Sequence, residues 1–160
     1  MRIRKATTKD FDTYLKLFKL GRVNYPEIFS NSSLLELVSL KKNYKQELEK
    51  EFKSYLFSKN KILLFAEDNK IIVGFIAGSI AKFPLYYLSN IEGHIDSLLI
   101  IKDYQGKRIS SLLKEGLFDW FKSKKLNYVG LHVMENNFKA QKIYNKWGFK
   151  FFSRRMKLKL

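Results

Sequence analysis

Cysteine is absent from the 160 residues of the chain. Disulfides, thiolate metal sites and a cysteine nucleophile are therefore excluded. Histidine occurs only twice. No tight ligand spacing joins His94 and His132 to Glu92 or Asp96, so no metal centre is expected. No apolar run approaches the roughly 18 residues of a membrane span, and the charged N-terminal stretch lacks a signal-peptide core. A soluble, cytoplasmic protein is the expectation. There is no internal repeat, linker or low-complexity segment. The two prolines fall at Pro26, within a polar loop, and at Pro84, where a strand pattern stops.

Acid is also scarce. Fifteen Asp and Glu face 31 Lys and Arg, a formal net charge of +16 that favours polyanionic partners. From Phe121 to Leu160 there are eleven basic residues and one acid, Glu135. Three readings of this excess compete: a nucleic-acid face, a phosphate-rich cofactor, or plain lysine-rich composition. What the chain has in quantity is apolar matter, 46% of residues, of which aromatics make 16% of the chain. That argues against disorder, and the length suits one domain with a single sizeable core over residues 1–160.

The chain is organised around Ile95 to Lys124. The continuous apolar run Leu98-Leu99-Ile100-Ile101 suits a short strand buried on both faces. A polar turn from Lys102 to Lys107 carries Gly106. Then Ile109, Leu112, Leu113, Leu117, Trp120 and Phe121 recur at helical steps. A strand that runs through a glycine-bearing turn into a helix start is suited to phosphate. The first helical turn has unpaired N–H groups and the positive end of the macrodipole, and Lys107 and Arg108 add full charges. Most such turns in α/β proteins bind nothing, so the turn alone leaves both readings open.

Around this centre the patterns predict a strand at Arg2 to Ala6 and a helix capped by Thr7 or Thr8, ending at Gly21. A loop spans Arg22 to Asn31. Ser33 to Glu36 has capping-box spacing. A helical pattern follows through Leu37, Tyr44, Leu48, Phe52, Tyr55 and Leu56, with a break at Lys41 to Asn43. Lys61 to Ala66 and Ile71 to Lys82 read as a hairpin turning at Asp68-Asn69, with Gly74 and Gly78 allowing a bulge or close approach. Tyr86 to Ile101 reads as one strand, irregular near Gly93, and Tyr128 to Met134 as another. Asn136 or Asn137 caps a helix ending near Gly148. The tail alternates Phe152, Arg154, Met156, Leu158 and Leu160, a final strand with a bulge at Phe149 and Phe151. The order βα(α)βββαβαβ implies a mixed sheet with helices on both faces and a right-handed crossover.

Two side-chain constellations stand out. Asn137, Ala140 and Tyr144 lie at i, i+3 and i+7 and share a helix face. The small Ala140 lets a narrow ligand lie against that helix. Tyr144 is either a core aromatic or a neutral proton donor with an ordinary pKa of about 10. Glu92, His94 and Asp96 alternate, so a regular strand puts all three on one face. His94 is either a hydrogen-bonded strand histidine or a base; His132 reads as structural.

These residues together resemble the GNAT N-acetyltransferases. Gln105-Gly106-Lys107-Arg108-Ile109-Ser110 occupies the place of the family's Gln/Arg-x-x-Gly-x-Gly/Ala loop, with Arg108 in place of the first glycine and Ser110 in place of the last small residue. Asn137, Ala140, Tyr144 and Gly148-Phe149 match Asn-x-x-Ala-x-x-x-Tyr-x-x-x-Gly-Phe. Val73-Gly74-Phe75 and Ile3 to Asp10 resemble further parts of the family pattern. The similarity spans about 110 residues and is weakest from Gly21 to Asn60.

The resemblance implies an α/β (α+β) fold, with a mostly antiparallel sheet and a splayed pair of parallel strands. It implies acetyl-CoA as cofactor and direct attack by a primary amine in a ternary complex. Pantetheine is expected to pair with the backbone of Leu98, Leu99 and Ile100. The pyrophosphate is expected over Gln105, Gly106, Lys107, Arg108, Ile109 and Ser110. Asn137 and Ala140 would line the pantetheine, Lys142 or Lys146 would meet the ribose phosphate, and Tyr144 would be the general acid. His94 or Asp96 falls where relatives carry a base. Tyr25, Glu27, Phe29 and Glu92 would border a small-molecule, peptide or protein amine, and a homodimer is compatible with the family. A lysine-like amine of pKa about 10.4 is neutral only about once in a thousand near pH 7.4, roughly 4 kcal/mol to overcome, whereas an amine of pKa about 8 is already about one-fifth neutral. A non-catalytic coenzyme A module and an RNA- or ribosome-associated basic protein are the alternatives.

Overall fold

The structure, a computed structural model, describes residues 1–23, 35–83, 86 and 89–158. They divide into two compact units, Met1–Gly21 with Asn43–His132, and Arg22–Lys42 with Val133–Leu160. The first contains strands β1 (Arg2–Lys5), β2 (Lys61–Asp68), β3 (Ile71–Lys82), β4 (Ile91–Ile100) and β5 (Val129–Leu131). They form one sheet in the order β1-β2-β3-β4-β5. The first three pairings are antiparallel and β4 pairs with β5 in parallel. Helices α1 (Phe11–Gly21), α2 (Tyr44–Phe57) and α3 (Ile109–Ser123) belong to the same unit, while α4 (Phe138–Lys146) belongs to the second.

Alternation along β2 and β3 builds two cores. Leu63, Phe65, Phe75 and Ala77 point to one face and meet Tyr14 and Leu17 of α1 and Leu48, Phe52 and Tyr55 of α2. Tyr14 sits between Phe52 and Phe75, with ring centroids 5.3 and 5.2 Å away. Each buried leucine or phenylalanine here contributes about 1.5–3 kcal/mol of burial, and Ala77 less. On the opposite face, α3 lays down Ile109, Leu113, Leu117 and Phe121, one every four residues and all at most 2% exposed. Gly78 and Gly93 make room for them. A Cβ on Gly93 would stand 2.7 Å from the Phe121 ring, and one on Gly78 would stand 2.6 Å from Leu117. Leu112, expected on this face, is exposed.

The hairpin turns at Asn69-Lys70, both with positive φ, one residue later than the pattern predicts. Two left-handed residues match the twist of the flanking strands. The β1 end is fastened by Arg4, whose guanidinium donates two hydrogen bonds to Asp10 (2.8 and 2.9 Å) and one to Glu67 (2.7 Å). The helical pattern breaks at 39–43, between a 3-10 turn at Leu35–Val38 and α2.

Three expectations are corrected. The strand expected from Tyr86 begins at Ile91, after a connection closed by the Phe83 N–H on the Asn90 carbonyl. The strand expected from Tyr128 to Met134 is only three residues long. The tail forms no strand among the described residues; Phe152, Met156 and Leu158 alternate but are exposed, so no ladder exists for a bulge at Phe149 and Phe151 to interrupt. Alternation signals a strand only where a sheet edge receives it. Ser33 lies outside the described residues.

Candidate active site

The register of β3 against β4 slips between Ala77↔Ser97 and Gly78↔Ile95 and leaves Asp96 unmatched. This bulge lies three residues beyond the Gly93 irregularity that the sequence suggests. Asp96 lies on the side of α2, and both its oxygens are engaged. The Tyr55 hydroxyl donates to Oδ2 at 3.0 Å and the Ser79 hydroxyl donates to Oδ1 at 2.7 Å. Two hydroxyls donating into one carboxyl fit a carboxylate, which can only accept. Burial, and then the Asp96 and Glu51 charges, push the Tyr55 hydroxyl far up, so it stays a donor.

His94 is half-buried beside Asp96 and pairs with Gly130 of β5. Its Nε2 lies 3.3 Å from Nδ1 of His132, with the ring centroids 5.0 Å apart. Burial lowers the His94 pKa from its ordinary value of 6.5; the charge of His132 lowers it further, and Asp96 opposes both. Glu92 lies against Gly130, where a Cβ would stand 2.4 Å from its Oε1. Burial raises the Glu92 pKa, with His132 opposing. The row Glu92, His94 and Asp96 thus faces one side, as its alternation predicts. Tyr55, Ser79 and the pairing of His132 are additions. The two histidines on neighbouring predicted strands were a usable signal for His132; nothing in the pattern of α2 marked Tyr55.

Pairing of β4 with β5 ends at Ile95↔Leu131, yet β4 continues to Ile100. Beyond Ile95 the β5 side of β4 carries no strand among the described residues, so Leu98, Leu99 and Ile100 lie on an edge. A 3-10 turn, Lys102–Tyr104, follows. Gln105 folds back and donates from Nε2 to the Ile100 carbonyl at 2.9 Å. Gly106 has φ +81, and a Cβ there would meet nothing within 4 Å. Lys107 is exposed, with Nζ 4.6 Å from the Tyr104 ring centre. Arg108 is the N-cap of α3 and adopts left-handed φ 60, ψ 10. Its carbonyl accepts from Ser111 and Leu112, which leaves the Ile109 and Ser110 N–H groups at the open first turn.

In the second unit, Asn137 caps α4, accepting the Ala140 N–H on Oδ1 at 3.1 Å. This commits only one of its amide atoms. Ala140 and Tyr144 follow one turn apart on the same helix. Tyr144 packs edge-on to Trp147 and Phe149, and burial raises its hydroxyl pKa above the ordinary 10. Lys142 and Lys146 are exposed. Tyr25, Glu27 and Phe29 lie outside the described residues. No metal-ligating group of three or more side chains occurs among the described residues. No helix among them is long and apolar enough to cross a membrane.

The model of the Acetyltransferase (GNAT) family matches residues 29–149, and the chain belongs to that family. It is an acetyl-CoA-dependent N-acetyltransferase. No curated protein matches it in sequence. Among solved structures it is similar to the BH1408 protein of Bacillus halodurans, solved as a tetramutant, at 18% identity, covering all of both chains with a TM-score of 0.82. It is also similar to a predicted acetyltransferase of Clostridium acetobutylicum solved with acetyl-CoA: 19% identity, 99% of this chain and 95% of that one, TM-score 0.78. The aminoglycoside 6'-N-acetyltransferase AAC(6')-Ig of Acinetobacter haemolyticus is similar at 12% identity, over 100% and 98% of the chains, with a TM-score of 0.77. The open β4 edge and the cradle at Gly106, with the Lys107 and Arg108 cations and the open first turn of α3, fit a pantetheine diphosphate.

Proposed function

We propose that the chain acetylates a primary amine on a cationic acceptor by direct attack in a ternary complex, with His94 as base, Asp96 as anchor of the ammonium group, and Tyr144 as general acid. The observation that carries this reading is the β4 row, in which a histidine of lowered pKa stands beside a carboxylate gripped by two hydroxyls. Acetyl-CoA supplies the acetyl group as a thioester.

The chain's own residues divide the work. Leu98, Leu99 and Ile100 offer edge carbonyls and N–H groups to the pantetheine, and the turn from Gln105 to Ser110 offers N–H groups and cations to the phosphates. Asn137 and Ala140 are assigned to the same ligand by the family pattern that they match. His94, with its pKa below 6.5, is neutral at pH 7 and ready to accept the acceptor's proton. A lowered pKa also makes it a weaker base, so activity climbs further at high pH as the amine sheds its own proton. Asp96, held from two sides, cannot swing to shuttle a proton and suits a fixed electrostatic anchor. The raised Tyr144 pKa keeps its hydroxyl protonated, as a donor must be. Tyr25, Glu27, Phe29 and Glu92 belong to the acceptor side of this reading.

The test is thiol release from acetyl-CoA with kanamycin, spermidine and a lysine-bearing peptide as acceptors. Aminoglycosides enter the panel because one structural neighbour carries that name. In Tyr144→Phe, kcat should fall about 10- to 1000-fold, near the usual range for acid–base groups, while acetyl-CoA affinity holds. Wild-type turnover in that variant, with chemistry rate-limiting, removes Tyr144 from the reaction.

A further inference from the structure

We infer that His132 is the second member of a proton relay, taking from His94 the proton that His94 takes from the acceptor amine. The inference rests on the reading of His94 as base. The facing atoms are His94 Nε2 and His132 Nδ1, 3.3 Å apart. The contact joins two segments, β4 and the residue just after β5, that parallel pairing brings side by side. His94 is half-buried, whereas His132 is exposed, so the pair runs from an enclosed base to the solvent.

The relay requires one pair of tautomers. His94 carries its hydrogen on Nε2 and donates it to the lone pair of His132 Nδ1. Its own Nδ1 lone pair is then free to accept. His132 carries its hydrogen on Nε2, towards water. In the step, the amine N–H bond breaks and a His94 Nδ1–H bond forms. The His94 Nε2 proton passes to His132 Nδ1, and the His132 Nε2 proton leaves to solvent. One proton enters, one leaves, and neither ring ends charged. The starting tautomers return when, in the emptied acceptor site, His94 Nδ1 releases its proton to water, His132 Nδ1 hands its proton back to His94 Nε2, and His132 Nε2 takes one up from solvent.

The groups facing the pair are Glu92 and Asp96 on β4, Ser79 on β3 and Tyr55 on α2, the last two through Asp96. Asp96 favours a protonated His94, and Glu92 and His132 feel each other's charge. A proton that stays on His94 is resisted by burial and by His132 together, which favours passing it outward.

These are the chain's only two histidines, so the imidazole spectrum of the intact protein holds two rings, assignable from His94→Ala and His132→Gln. Two-bond proton–nitrogen correlation spectra across pH 4.5 to 9 should show neutral His94 protonated at Nε2. His132→Gln should shift the His94 titration upward, since it removes a neighbouring positive charge. Glutamine can still accept the Nε2 hydrogen but cannot carry a proton onward. With kanamycin, spermidine or the lysine peptide as acceptor at pH 7 and low buffer, His132→Gln should therefore lose kcat about 5- to 50-fold, a fraction of a full acid–base contribution, with KM nearly constant. Added imidazole should restore part of the loss.

A His94 titration unmoved by removal of the His132 ring would overturn the relay without reference to any acceptor. So would saturable one-to-one Zn²⁺ binding at micromolar concentration that shifts both rings, which would make the pair a metal site. If His94→Ala is impaired while His132→Gln turns over like wild type at every buffer concentration, the relay falls and the base stands. If His94→Ala itself keeps wild-type kcat, the base falls.

Discussion

Arg108→Gly tests the proposed cofactor loop from two directions. Arg108 stands at φ 60, ψ 10, where the family pattern has glycine. The left-handed conformation costs an L-residue about 1–2 kcal/mol. Glycine removes that cost but gives back about 0.4–1 kcal/mol through the freer unfolded chain. Removing a cation from the positive end of α3 adds up to about 0.3 kcal/mol, the low end of such effects, because the residue is exposed. The net expectation is a gain near ~0.5–1 kcal/mol, or a Tm higher by about 1–4 °C for a domain of this size. Acetyl-CoA affinity should move the other way, by about 3- to 10-fold, because one charge near the phosphates is lost, and the deficit should shrink at high salt. Thermal denaturation without ligand, and calorimetric titration with acetyl-CoA at low and high salt, measure the two effects separately. Arg108→Asn removes the charge while tolerating the same backbone, so it should share the affinity loss. A lower Tm in the glycine variant would show that the arginine side chain holds the turn, and would refute the strain argument. Unchanged affinity at low salt would remove Arg108 from the phosphate site.

Gly93→Ala should cost about 1–3 kcal/mol in urea unfolding with an unchanged m-value, since the new methyl meets the buried ring of Phe121 at 2.7 Å; a neutral result would mean that α3 yields easily. Asp10→Asn should destabilise at neutral pH by about 2 kcal/mol, since Arg4 holds the Asp10 carboxyl down at about 2 against an ordinary 3.8. The folded pKa is the lower one, so this contribution is complete above pH 3.8 and disappears as pH falls through about 2. The gap between wild type and variant should close over that window in urea titrations at pH 7, 5, 3 and 2, and a gap constant with pH would refute the assignment.

The layers of the first unit were legible because they rest on periodicity. Leu63, Phe65, Phe75 and Ala77 alternate, α3 repeats every four residues, and the turn at Gly106 follows a strand. The length of β5 was not legible. Tyr128 to Met134 has strand composition, but pairing stops at Leu131, next to the β4 bulge, although β4 runs on to Ile100, and where two strands part is a property of both segments. In the tail, Phe152, Met156 and Leu158 alternate, but they are exposed and pair with no strand among the described residues, and alternation alone does not supply a partner. Within the site, the β4 row was readable from period two. Its partners were not, because Tyr55 reaches Asp96 across 41 positions of sequence and His132 reaches His94 across 38.

The unmatched Asp96 reconciles two demands that a regular strand could not meet together. Gly93 and Ile95 face α3, so in an unbroken β4 Leu99 would face α3 as well. Instead Leu99 lies opposite Phe75 and packs with the α1 and α2 core. One extra residue at Asp96 changes the phase of the strand. Upstream of it, Glu92 and His94 share a face with Ser79; downstream, Leu99 shares that same face and closes the core beneath it. Asp96 itself, freed from the ladder, is fixed instead by Tyr55 and Ser79. Close by, β5 gives out at Leu131. A polar half of β4 and an apolar half with an open backbone edge are thereby joined within ten residues. On the proposed reading, the bulge lets amine chemistry and cofactor pairing occupy consecutive stretches of one strand.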